Sequence, residues 1–126
     1  MVEVRLETRC HPTEERDKVV KAILALFPDA GIEGDDPVIG ISHSVEVFSQ
    51  QLAKQRIRDA ARNIMKRGID GRHCTFRLNK QVATAGKVSF SIEQHALGDV
   101  QVTITHDDID GLIQRMAPDA KDEVAE

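Results

Sequence analysis

The chain has 126 residues, enough for one core and too few for two. Its 40% hydrophobic and 30% charged content is ordinary for a globular protein and argues against wholesale disorder. Trp and Tyr are absent and only four Phe occur, so aromatic stacking cannot be the main way a ligand is held.

The net charge of −4 conceals an asymmetry. The window from Lys54 to Lys87 carries +8 and the remainder −12. A basic segment within an acidic protein attracts phosphate locally, while the overall field opposes indiscriminate binding. The plainer reading is a solvated helix face complemented by acidic loops. No apolar run exceeds the six residues Ala22 to Phe27, which excludes a membrane-spanning helix. The opening residues lack a secretory pattern, so a cytosolic protein is expected.

Along the chain, Val2, Val4, Leu6, Thr8 and Cys10 alternate with Glu3, Arg5, Glu7 and Arg9, the period of a strand with one buried and one charged face. His11-Pro12 ends it. Thr13 is expected to cap a helix whose first turn carries Glu14 and Glu15. Val19, Val20, Ile23, Leu24 and Phe27 form its apolar stripe, and Pro28 closes it. Residues 29–37 are turn-rich and precede a short strand from about Val38 to Ser42. A second helical stretch runs from near Ser44 to Gly68. Its stripes, Val45/Phe48/Leu52 and Ile57/Ala60/Ala61/Ile64, are rotated by roughly 120–140° at the helical repeat. One straight helix cannot bury both against a sheet, so a break is predicted near Ala53 to Gln55.

After the Asp70-Gly71 turn, three runs alternate: Cys74, Phe76, Leu78; Val88, Phe90, Ile92; and Val100, Val102, Ile104. A last helix, about Asp107 to Met116, buries Ile109, Leu112, Ile113 and Met116. The expected fold is α+β, a two-layer domain over residues 1–116 with an antiparallel or mixed sheet and helices on one face. Residues 117–126 form an acidic tail expected to fray.

Several of these stretches carry a resemblance. Gln55-Arg56-Ile57-Arg58-Asp59-Ala60-Ala61-Arg62, then Leu78-Asn79-Lys80-Gln81-Val82-Ala83 and Gly86-Lys87-Val88-Ser89-Phe90, are similar to segments of a conserved archaeal family of uncharacterised proteins. The opening strand, Pro12-Thr13-Glu14 and Phe27-Pro28-Asp29-Ala30 fit it too. The resemblance implies a fold like that of the large-subunit ribosomal protein that binds 5S ribosomal RNA. It implies no activity.

The leading functional expectation is weak binding of structured RNA, or a ribosome-associated role. In a helix over 54–67, Lys54, Arg58, Arg62 and Lys66 recur every four residues as a drifting basic stripe. Arg77, Asn79, Lys80 and Lys87 add donors from neighbouring strands. Phe76 and Phe90 fall on the apolar side, so a sheet that stacks single-stranded bases is excluded and recognition should be by shape and backbone charge. The alternative is a homodimeric scaffold or protein-interaction module. There Glu3, Arg5, Glu7 and Arg9 would pair with the same strand of a second copy, and Arg62 and Asn79-Lys80-Gln81 would act as internal braces.

Other chemistries are weaker. Gly86-Lys87 fails the phosphate-loop pattern, because Gln81 stands at the first Gly and Val88 at the Ser/Thr. Cys10-His11 and His73-Cys74 are adjacent pairs whose side chains leave a strand on opposite faces, so no metal or other cofactor is expected. A Cys10–Cys74 disulfide would need neighbouring strands, and a cytosolic setting opposes it. His43, His95 and His106 sit at element boundaries beside Ser and Asp, the chemistry of caps and turns, and no enzyme is expected.

Overall fold

The computed structural model describes residues 2–91 and 98–118. In chain order these form β1 (Glu3–Thr8), α1 (Arg16–Leu26), β2 (Gly31–Glu33), β3 (Val38–Ser42), α2 (Glu46–Lys54), α3 (Arg58–Arg67), β4 (Ile69–Asp70), β5 (His73–Asn79), α4 (Lys80–Thr84), β6 (Asp99–Thr105) and α5 (Ile109–Met116). The strands make one antiparallel sheet in the order β2-β3-β1-β6-β5-β4. The fold is α+β, as expected.

Register follows the alternation. Val4, Ser42, Ile104 and Cys74 share one row, and Leu6, Gly40, Val102 and Phe76 the next, all buried beneath the helices. The other face carries Arg5, Ile41, Thr103 and Thr75 in one row, and Glu7, Ile39, Gln101 and Arg77 in another. None of those eight is buried, so the helix layer covers one face alone. The four phenylalanines form a continuous series in the core. Phe27 stacks on Phe48 at 5.5 Å between ring centres, Phe48 on Phe76 at 5.7 Å, and Phe76 meets Phe90 edge-on at 5.5 Å. Such contacts add about 0.5–1.5 kcal/mol each beyond area burial. They also leave no aromatic ring for stacking bases on the open face.

The predicted break falls between Lys54 and Arg58, where Arg56 adopts a left-handed φ of 57° and turns the chain from α2 into α3. Each helix then buries its own stripe: Phe48 and Leu52 from α2, Ala61 and Met65 from α3. Ala60, expected inside, is exposed, and Met65 takes its place because α3 is rotated away from the anticipated face. The far end of α3 is set by Gly68, whose carbonyl accepts from Thr75 N–H at 3.0 Å. A Cβ there would overlap the Thr75 carbonyl, so only glycine allows α3 to end this close to β5.

Four expectations need correction. Thr13 does not cap α1; the helix begins three residues later, with Glu15 at its N-cap. Val88 to Ile92 is not a strand over the described residues 88–91, which touch β5 through one Leu78–Phe90 bridge and two flanking hydrogen bonds. Both main-chain groups of Val88 are already taken by the side chain of Gln55, which prevents a ladder from extending through it. Ile92 and His95 lie outside the described residues. Strand β1 cannot pair edge to edge with a second copy, because β3 and β6 occupy both of its edges. Finally, Ala117, where fraying was expected to begin, is buried, and its carbonyl accepts from Arg62 at 2.9 Å. Residues 119–126 lie outside the described residues.

Candidate nucleic-acid interface

The eight cationic and polar positions singled out in the sequence do not share one environment. Lys54 ends α2, Lys66 lies on α3, and Lys87 follows the turn after α4; all three are exposed. Arg58, half-buried at the start of α3, is engaged with other groups. Arg62 is turned inward. Its side chain is 13% exposed, bridges Asp59 at 2.7 Å and donates to the Ala117 carbonyl, tying α3 to the end of α5. Arg77 is exposed but on the opposite face of the sheet. Asn79 caps α4, its side-chain oxygen accepting from Val82 N–H at 3.0 Å.

Lys80 is the most altered. Its side chain is 4% exposed, and Nζ donates to the Arg9 carbonyl at 2.8 Å and pairs with both carboxylate oxygens of Glu14 at 3.0 Å. Burial opposes ionisation of Glu14, but the His11 N–H and Lys80 outweigh it and hold the carboxyl below its ordinary range.

One feature gathers the exposed cations. Gln55, just past α2, accepts from Val88 N–H at 2.7 Å and donates to the Val88 carbonyl at 2.8 Å. This clamp ties the chain next to Lys87 to the α2–α3 corner, where Lys54 and Arg56 flank Gln55 in sequence. Lys66 and Arg67 are exposed in the last turn of α3, where their charges suit the negative end of the helix dipole. Lys54, Arg56, Lys66, Arg67 and Lys87 form no ion pair or side-chain hydrogen bond with other described residues. Arg56 and Arg67 were not singled out, because the four-residue spacing passes over both.

The Gly86-Lys87 turn offers no phosphate cradle. Gly86 N–H donates to the Ala83 carbonyl and Lys87 N–H to that of Val82. Among the described residues no three His, Cys, Asp or Glu side chains converge as metal ligands. Both cysteines are free; Cys74 lies level with Val4 in the sheet, whereas Cys10 follows the far end of β1. His43 Nδ1 lies 3.2 Å from the Val2 carbonyl, and His106 Nδ1 accepts from Asp108 N–H at 2.9 Å. Asp29 accepts from the Ser42 hydroxyl and His43 N–H, which hold its carboxyl below the ordinary range. No described helix is long and apolar enough to cross a membrane.

Sheet, helix layer and cationic corner together define an α+β protein with one bare sheet face and a basic surface on the helix side. A family model described as RNA binding matches residues 3–106. A UPF0201 protein of Methanothermobacter thermautotrophicus is 40% identical over 94% of this chain and 93% of its own length. A UPF0200/UPF0201 protein of Archaeoglobus fulgidus is 40% identical over 96% of this chain, which spans only 39% of that relative. The crystal structure of an uncharacterized UPF0201 protein matches with a TM-score of 0.87 at 38% identity, covering 94% of this chain and 95% of that one. That of the Methanococcus jannaschii UPF0201 protein gives 0.86 at 36% identity, covering 94% of each. The chain belongs to the UPF0201 family, within the family described as RNA binding.

Proposed function

We propose that this protein binds structured RNA through phosphates laid across the α2–α3 corner, a binding role rather than a catalytic one. The observation that carries the reading is the Gln55–Val88 clamp, which ties the chain next to Lys87 to the corner that carries Lys54 and Arg56, three cations with no carboxylate partner among the described residues. The family description supports it. Phosphate contacts position an RNA without reading its sequence, and in A-form RNA the readable features are shape and backbone. Arg62, Asn79 and Lys80 serve the fold and are not part of this surface.

The test is retention of a transcribed 5S ribosomal RNA across a salt series. Binding at low salt that weakens steeply as salt rises is expected. No retention at low ionic strength overturns the reading.

The bare sheet face favours a second role. Ile39 and Ile41 are half-buried on it, flanked in register by Glu33, Arg5 and Glu7. A two-fold dimer packed face to face would cover them and set Arg5 of one copy near Glu7 of the other. Light scattering is expected to give twice the chain mass, reduced to one by Ile41→Lys; a monomer at high concentration rejects the dimer.

A further inference from the structure

The end of α2 carries a mismatch between residue and backbone. Ile57 N–H donates to the Leu52 carbonyl at 3.2 Å, and Arg56 N–H to that of Ala53 at 3.1 Å. This pair of bonds around a left-handed residue is a Schellman motif. The left-handed position normally takes glycine, or asparagine where a side chain is kept, because a Cβ there crowds the neighbouring carbonyl. Here it holds Arg56, at a φ of 57°, the one non-glycine residue of positive φ among the described residues.

The side chain does not offset this cost within the fold. It is exposed and forms no ion pair or side-chain hydrogen bond with other described residues. Its place, by contrast, is held firmly. The Gln55 side chain before it is bonded to Gln51 and to both main-chain groups of Val88, and Ile57 after it packs against the core. A disfavoured backbone kept beneath an exposed, unpartnered side chain speaks for a role outside the fold. A surface that needed only charge could use lysine, as it does at Lys54. What arginine adds is a planar fork of N–H donors that meets two phosphate oxygens at once. We infer that Arg56 anchors RNA at this corner by a two-pronged contact with one backbone phosphate, while lysines such as Lys54 supply charge alone. The inference rests on the function proposed above and assigns its anchoring contact. Because the Arg56 backbone is already fixed, only side-chain rotamers are left to order on binding.

Wild type is compared with Arg56→Gly, Arg56→Lys and Lys54→Ala as full chains, by urea denaturation and by titration with transcribed 5S ribosomal RNA across a salt series. Glycine relieves the backbone, so Arg56→Gly should raise the urea midpoint by about 0.5 M. Arg56→Lys should leave the midpoint unchanged. RNA binding should run the other way. Arg56→Gly should bind about tenfold more weakly than wild type and Lys54→Ala about threefold, although each removes one charge and makes the log–log salt slope shallower by about one. Arg56→Lys should keep the wild-type slope and still lose about fivefold in affinity. Wild-type affinity in Arg56→Lys would mean that a point charge suffices, and a lowered midpoint in Arg56→Gly would mean that the side chain serves the fold. Either result overturns the inference and leaves RNA binding standing. No retention of RNA by wild type rejects the proposed function itself, and the anchoring role with it.

Discussion

Gln55 and Val88, 33 residues apart, exchange two hydrogen bonds between the side chain of one and the main chain of the other. The contact occupies both main-chain groups of Val88 and ties the chain next to Lys87 to the corner where α2 turns into α3. Gln55→Ala leaves the N–H and carbonyl of a buried Val88 unsatisfied, a loss of about 1–3 kcal/mol. The urea midpoint should fall by about 1 M. An unchanged midpoint would mean that the clamp carries no load.

Lys80 and Glu14 should behave as a unit. Lys80→Met strands a carboxylate that is 14% exposed, at a cost on the order of 2–4 kcal/mol. Lys80→Met/Glu14→Leu removes the stranded charge and should recover at least half of that loss in chemical denaturation. A double variant no more stable than Lys80→Met would contradict the pairing.

Acid should weaken the fold in a defined window. The Arg9 side chain, with help from Cys10 N–H, holds the Asp36 carboxyl down to about 2, and Glu14 and Asp29 are also lowered. Depressed folded-state values mean that the unfolded chain binds more protons as acid is added. The stabilisation is complete above the ordinary carboxylate range and lost as pH falls through the folded values. The urea midpoint should therefore hold steady above about pH 5 and decline towards pH 2. A flat profile across that interval would exclude these linkages.

The two thiols should differ sharply. Burial pushes Cys74 up to about 12, and its Sγ donates to the Met65 carbonyl at 3.1 Å. Cys10 is half-buried at the end of β1. A thiol reagent at neutral pH should modify Cys10 in the native protein and Cys74 only on unfolding. Equal native rates would contradict the burial.

Much of this fold was legible because its long strands alternate without interruption. The apolar sets of β1, β5 and β6 each point to one face, and the helix break showed as two stripes that no straight helix could bury. The short elements left no such trace. Three residues in β2 and two in β4 are too few for a period to register, and α4 announces itself only by Asn79 at its cap. Cation burial was illegible for another reason. Whether Arg62 or Lys80 faces water depends on an Ala117 carbonyl 55 residues away and on Glu14 at a distance of 66. Tertiary packing makes those partnerships, and no local spacing encodes them. The basic window was legible as charge; its division between open surface and internal brace was not.

The salt dependence of RNA affinity in wild type against Lys54→Ala/Lys66→Ala/Lys87→Ala tests the cationic corner most directly, with Arg77→Ala as the control on the opposite sheet face. The triple variant should bind more weakly at low salt, with a log–log slope shallower by about two to three, and Arg77→Ala should match wild type. Slopes that coincide for wild type and the triple variant, or a larger effect from Arg77→Ala, would contradict the placement of RNA at the α2–α3 corner.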